Sequence, residues 1–443
     1  MNIVHITPGA GGMYCGGCFR DNALVGALRK LGHSTLMVPL YLPLTLDEED
    51  NSTGTPIFFG GINVYLEQIF PLFRNSPKWL HRLLNSSILL KLASGSAAKT
   101  RPQDVGELTL SMARGEEGNQ ARELTELIAW LKGNEKPDIV CLSNALLIGL
   151  ARRIREELQS PIVCLLTGED NFLDSLPPAV RQPTWSTLSE RAAEVDLFVA
   201  PSIYYRDLMA RRLGLPADRM RVVHNGITLE GYHPATASPH PPVLGYFARM
   251  CREKGLDTLA EAYIAIRQKG LVKNLKLRLG GGMGPSDKPL VDSLQKRFDK
   301  LGLSGDVEFC PNLDRNAKQD FFRSLSVLSV PALYGEAFGL YVLEAWAAGV
   351  PVVQPRHAAF PELIESTGGG LISEPNPAAL ATAIEQLLLR PDQGRALGEA
   401  GRSAVLQRFG IEHMAENMMN VYREFETRGA SSVSSARPPK LSI

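Results

Sequence analysis

The sequence predicts an α/β protein built from two Rossmann-like, doubly wound domains that face each other across a central cleft. Apolar runs of strand length alternate with helical patterns through most of the chain, the signature of parallel βαβ units. The alternation breaks at a Pro- and Ser-rich stretch, HPATASPHPP, and then resumes. Each half opens with a strand followed by a loop rich in glycine or in basic residues. Open α/β sheets bind ligands beyond the carboxyl ends of their strands, so the site is expected between the domains.

Taken in order, the first domain occupies 1–227. NIVHIT is its opening strand, 22–31 a helix and STLMVPL the next strand; DIVCLS, a helix ending at Leu158, PIVCLLT and DLFVAPS continue the alternation. Residues 228–242 form the linker. VLGYFAR opens the second domain, 243–408, followed by a helix over 256–268, LKLRLGG, a helix over 290–301 and DVEFC. Next come a strand over 327–333, a loop holding Gly335, Glu336 and Gly339, and a helix over 340–348. Gly349 and Pro351 are residues at which such a helix stops. A final helix over 409–427 is expected to pack back on the first domain, and 428–443 has the composition of a disordered tail.

The composition excludes several classes. With 443 residues, 44% hydrophobic and 21% charged, this is an ordinary globular chain. Lys+Arg and Asp+Glu each total 47, so nothing points to a nucleic-acid partner. No run approaches the roughly 20 apolar residues of a membrane span, and no charged n-region precedes the first strand, so a cytoplasmic protein is expected. Six cysteines are too sparse for a disulfide scaffold. Cys141 and Cys164 lie in strand-like runs and read as reduced core residues. Cys15 and Cys18 form a single C-x-x-C without the second ligand pair of a metal site.

Segment 68–103 stands apart. It holds no acidic residue but includes Arg74, Lys78, Arg82, Lys91, Lys99 and Arg101 among Phe70, Phe73, Trp79 and several leucines. Such a pattern suits either peripheral docking on an anionic inner membrane face or helices packed in the core with solvated lysines. FFGGINVYLEQ, just before it, suits either the wall of an acceptor pocket or a hairpin turn.

The loop TPGAGGMYCGGCFRDN is not a dinucleotide fingerprint, because Tyr14 stands where G-x-G-x-x-G needs its third glycine. There is no G-x-x-x-x-G-K-[ST] either. Nicotinamide oxidoreductases and P-loop enzymes are thereby disfavoured, which leaves a loop whose backbone at Gly16 and Gly17 can approach a ligand. Arg249 follows a strand and Lys254 precedes a helix, so both point to the crevice, where they can neutralise a diphosphate. Glu336 lies in a loop at a strand end, and Glu344 about one turn into the next helix. The helix start after Gly339 offers free N–H groups and a positive dipole end.

These features together resemble the nucleotide-sugar-binding domain of the retaining GT-B glycosyltransferases, in particular glycosyltransferase family 4. The residues that carry the resemblance are HNGITLEGYHP, the R-x4-KG of Arg249, Lys254 and Gly255, LRLGGGMGP, and the E-x7-E of Glu336 and Glu344. The resemblance implies that Arg249 and Lys254 hold the donor diphosphate and that Glu344 binds the ribose. Glu336, with the backbone of Phe338, Gly339 and Leu340, contacts the donor sugar and phosphates, and Gly16, Gly17, Asn225 and Gly282 complete the substrate site. It further implies a hexosyltransferase using a UDP-, GDP- or ADP-sugar, with retention of configuration and with no cofactor beyond the donor. The acceptor is not identified; a glycan and a lipid-linked sugar are both candidates. No Asp-X-Asp occurs, so no metal is expected. One departure concerns the place where many relatives have a histidine: this chain has Gly168, Glu169 and Asp170. Either carboxylate can position or deprotonate an acceptor hydroxyl there, or Asp170 can merely cap a helix. The rival readings are a GT-B epimerase or phosphorylase, and a catalytically silent sugar- or lipid-binding module.

Overall fold

The computed structural model describes residues 1–9, 16–44, 46, 48–59, 102–134 and 136–434. Within them the chain forms two six-stranded sheets. The first contains β1 (Asn2–Thr7), β2 (Ser34–Pro39), β3 (Ile139–Leu142), β4 (Ile162–Leu165), β5 (Leu197–Ala200) and β6 (Met220–Val222). Its order is β2-β1-β3-β4-β5-β6. The second contains β7 (Val243–Phe247), β8 (Lys276–Gly281), β9 (Val307–Pro311), β10 (Val327–Leu328), β11 (Val352–Pro355) and β12 (Gly370–Ser373), in the order β12-β11-β10-β7-β8-β9.

Every strand pairing is parallel. Strands such as β3 and β4, both IVCL and buried at every position, are continuous apolar runs because helices cover both faces of the sheet. In each sheet the winding direction reverses once, between β1 and β3 and between β7 and β10. Loops leaving neighbouring strands at such a reversal diverge to opposite faces and open a crevice.

The second crevice is set by a close backbone contact. Gly255 has φ +72°, and a Cβ there would lie 1.9 Å from the Pro331 carbonyl oxygen. Leu333 N–H also bonds to the Glu253 carbonyl at 2.9 Å. The loops after β7 and β10 therefore press directly on each other, and only glycine fits. Gly255 also starts the helix Leu256–Lys269, whose Leu256, Leu259, Ala260, Tyr263 and Ile264 recur at helical spacing and are buried against the sheet.

The last helix, Ile411–Ser434, crosses back to the first domain. Met414, Ala415, Met418, Met419 and Tyr422 pack on Leu24 and Leu28 of the helix Gly16–Lys30 and on Ile3 and Cys141 of the sheet. Each fully buried methionine contributes about 1.5–3 kcal/mol of transfer free energy before entropy is counted. Where this helix begins, Ile227 and Gly410 lie side by side in a parallel bridge, with Ile227 N–H bonded to the Phe409 carbonyl at 3.0 Å.

Several expected boundaries move. The strand expected over 327–333 pairs only at Val327 and Leu328, because the Val330 N–H is taken by the buried side chain of Gln354 at 3.1 Å. The first helix begins at Gly16 rather than 22. Inside it, Thr7 donates to Asp21 and Asn22 donates to the Glu49 carbonyl. The terminal helix runs to Ser434, past the expected end at 427: a single Gly429 costs only about 1 kcal/mol in a helix, and no proline follows until Pro438. The basic stretch 68–103 lies outside the described residues except for 102 and 103, which begin the helix Pro102–Arg114, and the expected tail lies outside them from 435. No helix among the described residues is long and apolar enough to cross a membrane.

Candidate active site

Two connected cavities occupy the cleft. The larger, about 720 Å³, is walled on the second domain by Phe247, Arg249, Lys254, Gly282, Lys318 and Glu344, and on the first by Gly16, Phe19, Arg20 and Glu48. The smaller, about 360 Å³, is bordered by Gly16, Gly17, Asn144, Gly168, Asn225, Lys254, Glu336, Phe338 and Gly339. Gly16, Arg20, Lys254, Leu340 and Tyr341 border both and mark the junction between them.

Lys254 leaves the loop after β7 and meets Glu336 from the loop after β10, with Nζ 2.5 Å from Oε2. The Tyr341 hydroxyl donates to the same carboxylate oxygen at 2.9 Å, and the ammonium sits 4.9 Å from the Tyr334 ring centre. Burial disfavours the charged lysine, but the Glu336 carboxylate and Tyr334 outweigh it and hold the pKa above the ordinary ammonium range. Lys254 is thus a fixed positive charge at the junction. Gly339, at φ +93°, turns the chain into the helix Leu340–Ala347. The N–H groups of Leu340 and Tyr341 precede the first ladder bond of that helix, from Val342 N–H to the Gly339 carbonyl at 3.0 Å, and both residues border both cavities.

Glu344, one turn along, is clamped from two sides: the Tyr232 hydroxyl donates at 3.0 Å and Lys318 Nζ lies at 3.0 Å. Arg249 is not directed at Lys254. Its Nε and Nη2 fork onto the buried Asp287, which precedes the helix Lys288–Lys300, at 3.2 and 2.9 Å. Its side chain is nevertheless 60% exposed and borders the larger cavity. Gly282 holds this loop in place, its carbonyl accepting from Met250 N–H at 2.8 Å.

On the first domain, Glu169 is held by backbone N–H groups and a tyrosine. Its oxygens accept from the backbone N–H groups of Ala145 (2.8 Å), Thr167 (2.9 Å) and Gly168 (3.0 Å) and from the Tyr205 hydroxyl (2.9 Å). The carboxylate is spent on tying the loops after β3 and β4 together. Asp170 also receives Tyr205 at 2.9 Å, and burial, with the nearby Glu169 charge, pushes its pKa up. Neither carboxylate is among the residues that border these two cavities, where the wall is Thr167 and Gly168.

The domains touch around the site. Ser202 donates to the Ala337 carbonyl at 2.7 Å, Phe338 stacks on His224 at 5.9 Å, and a Cβ on Gly16 would be 3.7 Å from Leu340. Gly17, Asn225 and Phe338 all border the smaller cavity. Residues 10–15 of the glycine loop, with Cys15, lie outside the described residues, while Cys18 is buried. Sequence reasoning passed over Tyr232, Asp287, Lys318 and Arg20. Tyr232 stands inside the quoted GYHP motif, but nothing in the local pattern marks Lys318 or Asp287 as partners of distant residues.

Two doubly wound domains, with a basic, helix-capped crevice between them, define a protein of GT-B architecture. Residues 232–404 match the family model described as Glycosyl transferases group 1, and residues 102–230 match that of Glycosyltransferase Family 4. The chain belongs to glycosyltransferase family 4. Among curated relatives, it is 28% identical to the D-inositol 3-phosphate glycosyltransferase of Rhodococcus opacus over 263 residues, 56% of this chain and 57% of that protein. The chain thus spans little more than half the length of this relative. The sucrose-phosphate synthase of Thermosynechococcus elongatus has the same fold, with a TM-score of 0.69 at 18% identity over 97% of this chain and 100% of that one. So does HepE of Anabaena in complex with UDP and glucose, with a TM-score of 0.65 at 16% identity over 95% of this chain and 99% of that one.

Proposed function

We propose that the protein is a retaining, metal-independent glycosyltransferase that moves a sugar from a nucleoside-diphosphate sugar to a hydroxyl acceptor. The observation that carries this reading is the junction of the two cavities, where a paired Lys254 and the open helix start at Leu340 meet. A diphosphate there is stabilised by an ammonium and by backbone dipoles as its charge grows on departure. The larger cavity takes the nucleoside, with Glu344 accepting from the ribose hydroxyls. The smaller takes the transferred sugar, with Glu336 accepting from its hydroxyls once Lys254 turns to phosphate. The complex of HepE with UDP and glucose supports a donor of this class.

In the proposed reaction the bond between the anomeric carbon and the phosphate oxygen breaks, with the electron pair leaving on phosphate. The acceptor oxygen bonds to the same carbon from the same face, and its proton passes to the departing phosphate oxygen. No side chain is needed as nucleophile, and Glu169, being committed to backbone N–H groups, is not the base. The protein acts by position and charge.

A thermal-shift panel of UDP, GDP and ADP tests the reading, since a ligand at 100 times its Kd stabilises by about 2.7 kcal/mol. One nucleotide should protect the wild type, and Lys254→Ala should lose that protection. Indifference of the wild type to all three overturns the proposal and favours the silent module. Retention is read from the anomeric NMR coupling of the product, and metal independence from full turnover in EDTA. A cytoplasmic site of action, with 68–103 against anionic lipid, belongs to the same reading and is supported by that segment's composition; failure of the full chain to sediment with phosphatidylserine vesicles removes it.

A further inference from the structure

Arg20 lies on the helix Gly16–Lys30, only 3% exposed, and yet it borders both cavities. Its guanidinium is held on one side only. Nε and Nη2 donate to Asp21 Oδ1 at 3.0 and 2.5 Å, and Nη2 also donates to the Ser143 carbonyl at 3.0 Å. Nη1 has no partner among the described residues. The anchor is itself fixed: the Thr7 hydroxyl donates to Asp21 Oδ2 at 3.0 Å, and His5 Nε2 lies 3.4 Å from Oδ1.

Nη1 is not a buried orphan donor: it keeps access to the cavities that Arg20 borders, where an anion can accept from it. Asp21 faces a second cation besides Arg20, the imidazole of His5, and the Glu169 carboxylate also bears on Arg20. Burial would discharge His5, but the Cys141 sulfur and the Asp21 carboxylate outweigh that and hold its pKa up to about 10. The guanidinium therefore places a positive group on the first-domain wall of the junction that Lys254 also borders. A guanidinium fixed through two of its nitrogens, with the third turned to a cavity, is suited to a phosphate oxygen.

We propose that Arg20 Nη1 binds the distal phosphate of the donor, so that the first domain contributes a cation to the diphosphate held by the second. This rests on the reading of the cleft as a nucleoside-diphosphate site. Donor binding then draws the two domains together, because the leaving group is held from both sides. The distal phosphate also carries the charge released in the reaction, so Arg20 acts on departure as well as on binding.

The test compares each nucleoside diphosphate with its monophosphate by titration calorimetry on the full chain: UDP with UMP, GDP with GMP, and ADP with AMP. Arg20→Lys and Arg20→Gln should lower the affinity for the bound diphosphate by about tenfold or more while the monophosphate affinity stays within about twofold. Equal losses for both nucleotides, or no loss for either, overturn the assignment and leave Arg20 a purely structural residue. Circular dichroism and the melting temperature without nucleotide show whether the variants fold. Should neither fold, a crystal structure of the wild-type UDP complex decides: Nη1 within about 3.5 Å of a β-phosphate oxygen is expected, and a β-phosphate out of its reach refutes the contact. Loss of diphosphate binding in Lys254→Ala with none in the Arg20 variants removes only this inference. No nucleotide binding by the wild type removes the reading beneath it.

Discussion

Replacing Glu344 with alanine should cost the nucleotide about two orders of magnitude in affinity while leaving the chain folded. The carboxylate is only 13% exposed and is already pinned by Tyr232 and Lys318 at 3.0 Å each, so the ribose of the proposed donor would meet it in a fixed position. Two vicinal hydroxyls donating to an ionised acceptor are worth about 1.5–3 kcal/mol apiece. Allowing for water that re-enters the truncated site, a net loss of about 3 kcal/mol is reasonable, roughly a hundredfold in Kd. The fold bears a separate cost, because Lys318, 15% exposed, loses its contact with the Glu344 carboxylate. That cost is about 1–3 kcal/mol. Calorimetry well below the melting temperature separates the two effects. Glu344→Gln keeps the shape and the Tyr232 bond and should fall between wild type and alanine. A folded Glu344→Ala protein that binds its best nucleotide within twofold of wild type refutes the ribose assignment.

Gly255→Ala should be strongly destabilising, by about 2–4 kcal/mol, because the new methyl group would overlap the Pro331 carbonyl; an unchanged melting temperature contradicts the close approach of the two loops. Glu169→Gln should lower stability by about 1–3 kcal/mol, through weaker acceptance from the Ala145, Thr167 and Gly168 N–H groups, and leave nucleotide affinity intact; a full-stability variant with lost turnover restores an acceptor-side role. The His5–Asp21 pair predicts the pH dependence of stability. Burial opposes the Asp21 charge, but Arg20 and His5 outweigh it and hold the carboxyl down to about 2, so its contribution is complete above the ordinary carboxylate range and is lost as pH falls toward 2. His5, held up to about 10, contributes fully below its ordinary value of about 6.5 and loses that contribution as pH rises toward 10. His5→Gln should flatten the alkaline limb of a melting-temperature profile, and an unchanged limb counts against the protonated histidine.

Much of this architecture is written in local patterns. IVCL, repeated in β3 and β4, can be read as a buried parallel strand because its apolar run is too short for a helix and is covered on both sides. Glu336, Gly339 and Glu344 share one strand–loop–helix unit, so their spacing alone places them at a strand end. The site's pairings are a different matter. Arg249 meets Asp287 across 38 positions, and Glu344 meets Tyr232 across 112, and only the winding of the sheet brings them together. Glu169 lies at a strand end, where ligand contacts occur, while its orientation depends on three backbone N–H groups, one of them on a different loop. The shortened β10 has a similar origin, since the competitor for its ladder is the side chain of Gln354 on the neighbouring strand.

The side-by-side passage of Ile227 and Gly410 carries a mechanical consequence. The polypeptide goes from the first domain to the second and later returns, and both transits run together, joined by a backbone bridge. A single tether would let one half swivel and slide on the other. Paired tethers at one edge leave chiefly a rotation about the line through them, like the spine of a book. The cleft can then gape and shut while its walls come back into the same register each time, so residues of both halves meet a substrate in a repeatable arrangement. The terminal helix, clasped to the first domain through Met414, Met418 and Tyr422, is the second cover of that binding, and it makes the return leg as firmly anchored as the outward one.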